Sequence, residues 1–213
     1  MSTWNEQWEV EQHSEYWKTP DKDICSFLKE MQESGRKTIL DYGCGIGRHS
    51  ILFAKNGFKV TAIDPSEKAI QYLHNWAEKE KLNIDCICGD ISDTEVMFDI
   101  ILCFNVLYHG TRSSMQVLLK EMHSRMNSGS ILYFTCPTHD DGKYGYGKEL
   151  EPHTFLSSKS IHPGDLHYFL NRKDLLELLT MFNVLEIKRD EHFWANNGSK
   201  EFSSYWKIKC SKE

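Results

Sequence analysis

The chain has 213 residues, 40% of them hydrophobic and 12% aromatic, and a formal net charge of −6. That length suits one domain with a full core, and no apolar run approaches the ~20 residues needed to span a bilayer. Lysines and arginines are scattered rather than gathered into a block, which argues against DNA or RNA as a partner.

The first residues, Met1-Ser2-Thr3-Trp4-Asn5-Glu6-Gln7-Trp8-Glu9, lack the basic flank and apolar core of a secretory signal, so the expected location is cytoplasmic. Seven cysteines, an odd number, fit reduced thiols better than a disulfide framework. Trp4, Trp8, Tyr16 and Trp17 stand among charged residues ahead of Pro20. This is too aromatic for a disordered tail and predicts an N-terminal cap over residues 1–20.

Lys37 to Leu40 reads as a buried strand that runs into Asp41 and then a loop with Gly43, Gly45 and Gly47. Glycines permit positive φ and leave no Cβ between the main chain and a ligand, so a nucleotide-like cofactor is expected there. His49, Ile51, Leu52, Phe53 and Ala54 suit a helix that ends at Asn56-Gly57. A second strand, Lys59 to Ile63, ends in Asp64, where a carboxylate can accept both hydroxyls of an adenosine ribose, whether of NAD or of S-adenosylmethionine. Asp41 separates the two, because a negative charge beside the loop repels a pyrophosphate and attracts the ammonium of a methionine moiety. The spacing agrees: the G-x-G-x-x-G pattern needs a third glycine at position 48, which is Arg48.

A helix is expected from Ser66, its N-cap, to about Lys81, with Ala69, Ile70, Leu73 and Ala77 at helical spacing. Strand three spans Ile84 to Cys88; its Cys86 and Cys88 alternate and do not make a C-x-x-C zinc pair. Strand four spans Phe98 to Phe104, and a helix covers roughly Ser114 to Met126. The turn Asn127-Ser128-Gly129 leads to strand five, Ser130 to Thr135. Residues 136–170 show little periodicity and hold His139, His153, His162 and His167, and so long a loop in a compact domain points to a functional lid. A helix follows from Asn171, which with Asp174 forms its cap, and Leu175, Leu176, Leu178 and Leu179 are its expected buried face. Strands Asn183 to Arg189 and Phe202 to Cys210, joined at Asn196-Asn197-Gly198, close the chain as a hairpin.

Four segments carry a family resemblance. Asp41-Tyr42-Gly43-Cys44-Gly45-Ile46-Gly47 resembles the first motif of the class I S-adenosylmethionine-dependent methyltransferases of small-molecule type. Asp64-Pro65-Ser66, Gly89-Asp90-Ile91 and Phe98 to Asn105 resemble the family's segments after strand two, after strand three and at strand four, in the same order. The resemblance implies an α/β, single-domain, Rossmann-like doubly wound sheet of seven strands. Its last two strands form the antiparallel hairpin, and the N-terminal cap and the 136–170 lid are added to it. It also implies S-adenosyl-L-methionine as cofactor: Asp41 near its amino group, Gly43, Cys44, Gly45 and Gly47 lining it, Asp64 with Pro65 at the ribose, Asp90 and Ile91 at the adenine, Asn105 and Val106 on the floor. The aromatic start and Pro152-His153-Thr154-Phe155 resemble the tellurite-resistance type of small methyltransferase.

After strand four come Tyr108 and His109, the candidate catalytic side chains, with His109 as a possible general base or simply a pocket residue. Trp17, His153, His167 and Tyr168 are candidate acceptor contacts. No spacing of histidines and carboxylates indicates a metal. The leading expectation is methyl transfer to a nitrogen, oxygen or sulfur of a small molecule. The rivals are an NAD oxidoreductase, a catalytically silent S-adenosylmethionine-binding partner protein, and a protein or RNA methyltransferase.

Overall fold

A computed structural model describes residues 4–6, 8, 14–158, 165–196 and 199–213, with only the backbone described at 194–196 and 199. His162, the Asn197-Gly198 turn and most of the first 13 positions lie outside these residues. The chain divides into two compact units, residues 1–103 with 125–130, and residues 104–124 with 131–213. Seven strands form one sheet in the order β3-β2-β1-β4-β5-β10-β9, and β6-β7-β8 form a second. Their spans follow.

In the first unit, helices α1 (Glu15–Lys18) and α2 (Lys22–Glu33) precede β1 (Thr38–Tyr42). Helix α2 is an addition to the elements expected from the sequence. Asp21 caps it by accepting from Asp23 N at 2.8 Å, and Ile24, Phe27, Leu28 and Met31 recur at i, i+3, i+4 and i+7 as its buried face. Strand β1 continues past Leu40 through Asp41 and Tyr42, because it pairs in parallel with β2 (Lys59–Asp64) along its whole length. Between them runs α3 (Arg48–Lys55), and α4 (Glu67–Glu80) leads from β2 to β3 (Ile84–Cys88). Ser66 caps α4 as expected, accepting from Ala69 N at 3.2 Å. Ala69, Leu73 and Ala77 face inward, and Leu73 and Ala77 pack with Cys44, Ile51 and Ala62. β4 (Phe98–Cys103) pairs in parallel with β1. Asp99 Oδ2 accepts from Lys37 N and Thr38 N, and Thr38 Oγ1 accepts from Asp99 N, which fixes where β1 starts.

In the second unit, α5 (Arg112–Ser124) starts two residues before the expected point. Thr111 and Ser114 exchange bonds, each side-chain oxygen accepting from the other's backbone N–H, and so set the helix start. β5 (Met126–Pro137) is longer than expected at both ends and absorbs the predicted turn, with Gly129 at φ +76° and Ser130 Oγ bonded to Phe98 O at 2.7 Å. The 136–170 segment is not the irregular loop that its lack of periodicity predicts. It folds as β6 (Gly147–Glu151), β7 (Thr154–Ser157) and β8 (Leu166–Tyr168), an antiparallel sheet of short strands. Helix α6 (Arg172–Leu178) is capped by Asn171, which accepts from Asp174 N at 3.0 Å. Leu175, Leu178 and Leu179 are buried, whereas Leu176 lies off that stripe and is 44% exposed, which corrects its expected place in the core. The final hairpin is present and longer than predicted. β9 (Asn183–Asn196) pairs antiparallel with β10 (Ser199–Ser211), which pairs antiparallel with β5. Cross-strand charge pairs such as Lys207–Asp190 (3.1 Å) carry it beyond the apolar stretch. Among the described residues, no helix is long and apolar enough to cross a membrane.

Candidate active site

In an open parallel sheet, ligands bind beyond the carboxyl ends of the strands. In the first unit that edge carries Asp41 at the end of β1, Asp64 at the end of β2 and Asp90 just past β3. Gly43, Gly45 and Gly47 all have positive φ, at +70°, +54° and +89°. The loop they form hangs from β2. Gly43 N and Cys44 N both donate to Ile63 O at 2.8 and 3.0 Å, Gly47 N donates to Cys44 O at 3.0 Å, and Gly45 N donates to Asp64 Oδ2 at 2.8 Å. These amides are committed inside the protein, so the loop is not the cradle of free N–H groups that binds phosphate elsewhere.

Each carboxylate is fixed differently. Asp41 is 3% exposed and accepts from Ser50 Oγ at 2.6 Å. Burial pushes it up to about 6, opposed by the Ser50 bond and the Arg48 charge. Asp64 is also buried and pushed up to about 6, opposed by the N–H bonds from Ser66 to Oδ1 and Gly45 to Oδ2. Each oxygen keeps a further lone pair, which suits a vicinal diol. Asp90 Oδ1 accepts from Tyr42 Oη at 2.6 Å and Ile91 N at 2.7 Å, and Ile91 is buried beside it.

The N-terminal segment reaches the same loop. The Trp8 ring packs with Ile46 and Ala69, and a Cβ placed on Gly45 would lie 2.6 Å from it. Asn5 Oδ1 accepts from Ser66 Oγ at 2.7 Å. Arg48, at the position of the missing glycine, is nearly buried. Its Nη1 donates to Tyr16 O and Thr19 O, and its guanidinium lies over the Tyr16 and Trp17 rings at 5.4 and 5.2 Å. Trp17 is thus held between Trp8, Tyr16 and Arg48. His49 accepts from Asp21 N, and burial followed by the Arg48 charge holds it well below its usual value.

The second unit brings Tyr108, His109, His167 and Tyr168 together. Tyr168 N donates to Tyr108 O at 2.9 Å, and the His109 and His167 rings meet edge to face at 4.8 Å, with Tyr108 against both. Burial, then the Lys143 charge, pulls His167 down to about 4, so it is a neutral and weak base. Burial pushes Tyr168 up to about 12. Asn105 holds φ +62° because Thr135 Oγ1 accepts from its N and donates to its Oδ1, both at 2.8 Å. His153 does not join the Tyr108 group. It stacks 4.2 Å from His139 and bonds Tyr144 Oη through Nδ1 at 2.8 Å. Ser50, Tyr42, Thr135 and Tyr144 are absent from the sequence-derived site. Ser50 and Tyr42 sit one turn and one residue from the glycine loop, a signal that was readable; Thr135 and Tyr144 have none.

A family model described as a methyltransferase domain matches residues 39–129, the stretch that holds the glycine loop and all three carboxylates. Over that stretch the chain is similar to S-adenosylmethionine-dependent methyltransferases. It is 34% identical over 141 residues to a ubiquinone biosynthesis O-methyltransferase of Coxiella burnetii (strain Dugway 5J108-111), covering 61% of this chain and 59% of that one. A probable S-adenosyl-L-methionine-dependent methyltransferase TehB of Haemophilus influenzae (strain 10810) is 33% identical over 93 residues, covering 43% and 32%. The chain thus spans less than two thirds of the length of these curated relatives. The fold matches that of a methyltransferase from Methanosarcina mazei with a TM-score of 0.71 at 22% identity, over 91% of this chain and 98% of that one.

Proposed function

We propose that this chain is an enzyme that binds S-adenosylmethionine and transfers its methyl group to a nitrogen, oxygen or sulfur of a small-molecule acceptor. The observation that carries this reading is the glycine loop with its amides committed internally and three carboxylates around it. Such an edge repels a pyrophosphate and suits a ligand with an ammonium group, a diol and an aromatic amine.

The bound cofactor supplies a methyl group on a positively charged sulfur. Asp41 pairs with the ammonium, Asp64 accepts from the two ribose hydroxyls, and Asp90 with Ile91 holds the adenine. Gly43, Cys44, Gly45, Gly47 and Pro65 line the cofactor's length, and Asn105 and Val106 form the floor at its methionine end. Tyr108, His109, His167 and Tyr168 are proposed to contact the acceptor, whereas His153 and Trp17, also expected there from the sequence, have other partners in His139 with Tyr144 and in Trp8 with Arg48. Displacement at a methyl group demands alignment and exclusion of water more than a strong base. His167, held near 4 by burial and the Lys143 charge, is suited to positioning rather than proton removal. Residues 1–20 and 136–170 act in this reading as cap and lid, and the acceptor is a small molecule rather than a nucleic acid.

Thermal shift with S-adenosylhomocysteine against NADH tests the cofactor: stabilisation by the former alone is expected, and stabilisation by NADH alone refutes it. An acceptor screen that reads S-adenosylhomocysteine release tests the activity. Tight cofactor binding with no turnover on any acceptor would instead identify a catalytically silent binding protein.

A further inference from the structure

We propose that His139, His153 and Asp174 form a binding site for one divalent transition-metal ion of the zinc class, inside the second unit and separate from the Tyr108–His109–His167 group. The proposal needs neither S-adenosylmethionine nor turnover, so it stands or falls apart from the methyltransferase reading.

The three residues come from the segment after β5, the β6–β7 connection and the first turn of α6, so no sequence spacing announces them. Each offers one ligand atom, and these atoms all lie within 4.8 Å of one another. A tetrahedral ion with bonds of ~2.0–2.1 Å holds its ligands ~3.4 Å apart, so side-chain rotations of about an ångström close the site.

Three features point to a cation. Asp174 Oδ2 is buried and has no hydrogen-bond donor among the described residues; a buried carboxylate oxygen in that state calls for a positive partner. Both imidazoles have their other nitrogen engaged in the way metal-bound histidines do. His139 Nε2 lies 3.2 Å from Phe169 O, which leaves Nδ1 to coordinate, and His153 Nδ1 lies 2.8 Å from Tyr144 Oη, which leaves Nε2. His153 also holds φ +66°, a conformation that non-glycine residues rarely adopt. Its N donates to Glu149 Oε1 at 2.9 Å, which helps fix that strained turn. Tyr144 stacks on both rings, and Phe155 and Phe169 pack edge to face against Tyr144 and hold it in place.

Two histidines and one carboxylate leave a fourth position for water or an acceptor oxygen. The test uses the full chain, stripped with a chelator and titrated with Zn2+ and Co2+. One equivalent is expected to bind, raise Tm and, for Co2+, give a tetrahedral visible spectrum without a sulfur-to-metal band. H153N keeps a side chain that tolerates positive φ, and D174N keeps the shape of the helix cap; each is expected to weaken binding at least tenfold. Y144F, which acts only through His153, is expected to weaken it about tenfold. H167N should bind as wild type does. The proposal is overturned by no binding, by binding indifferent to both H153N and D174N, by loss of binding in H167N, or by a sulfur-to-cobalt band that assigns the metal to cysteine.

Discussion

Ser50 supports the charge of buried Asp41, and Ser50→Ala should move the pH at which cofactor binds. The Ser50 Oγ to Asp41 Oδ2 bond is 2.6 Å long between two buried groups, and it is the largest influence opposing the burial that pushes Asp41 up to about 6. A hydrogen bond to a charged group contributes about 1.5–3 kcal/mol. At 1.36 kcal/mol per pH unit, its loss moves Asp41 up by about 1.1–2.2, to roughly 7–8. The ionised fraction at pH 7 then falls from ~0.9 to about 0.06–0.4, and affinity for S-adenosylhomocysteine drops about two- to fifteenfold at that pH. At pH 9 both proteins are ionised and the difference closes. Isothermal titration calorimetry from pH 5.5 to 9 measures this directly. A Kd that is unchanged at pH 7, or raised by the same factor at every pH, would refute the role given to Asp41.

Gly47→Ala should destabilise the protein by about 2–5 kcal/mol, the sum of positive-φ strain and overpacking, because its φ is +89° and a Cβ would lie 2.2 Å from Leu73 Cδ1. Adding Leu73→Ala should recover the steric part but not the strain, and urea unfolding of the double-mutant cycle that shows no coupling would contradict this. His167, folded near 4 and unfolded near 6.5, binds its proton first in the unfolded state, so stability is full above pH 6.5 and is lost as pH falls towards 4, by up to about 3 kcal/mol. His167→Asn should remove that slope in urea midpoints taken at pH 7 and pH 5; equal slopes in the two proteins would count against it. Arg48→Met removes the bonds to Tyr16 O and Thr19 O, and limited proteolysis should then cut near residues 16–20 at least several times faster, whereas an unchanged cleavage rate would mean that other contacts hold the segment.

What the sequence made legible was whatever depends on neighbours along the chain. Ser66 and Asn171 are read correctly as caps because an N-cap bonds an amide three residues on. The glycine loop is read correctly because positive φ is written into residue type. The β6–β8 sheet was not legible, since its strands have three to five residues and β6 is exposed along most of its length, so no alternation marks it. Helix α2 carried a readable stripe of Ile24, Phe27, Leu28 and Met31, hidden among charged residues that suggest a linker. The site divides in the same way. Asp41, Asp64 and Asp90 follow from strand ends, while the His139–His153–Asp174 group exists only because a loop, a hairpin and a helix start converge.

The choice between a dinucleotide and S-adenosylmethionine rested, in the sequence, on the charge of Asp41 and on the absence of a third glycine at position 48, and the structure gives that absence a physical cause. A third glycine in the dinucleotide pattern lets the helix approach the strand closely and leaves the helix end open to a pyrophosphate. Here Arg48 starts α3 and sends its guanidinium back to the carbonyls of Tyr16 and Thr19, against the rings of Tyr16 and Trp17. Arg48 is therefore engaged in anchoring the N-terminal segment, and the amides of Gly43, Cys44, Gly45 and Gly47 are engaged by Ile63, Asp64 and Cys44. With both means of holding a phosphate used internally, the carboxylates are left to decide which ligand fits. Their charge favours the ammonium-bearing one.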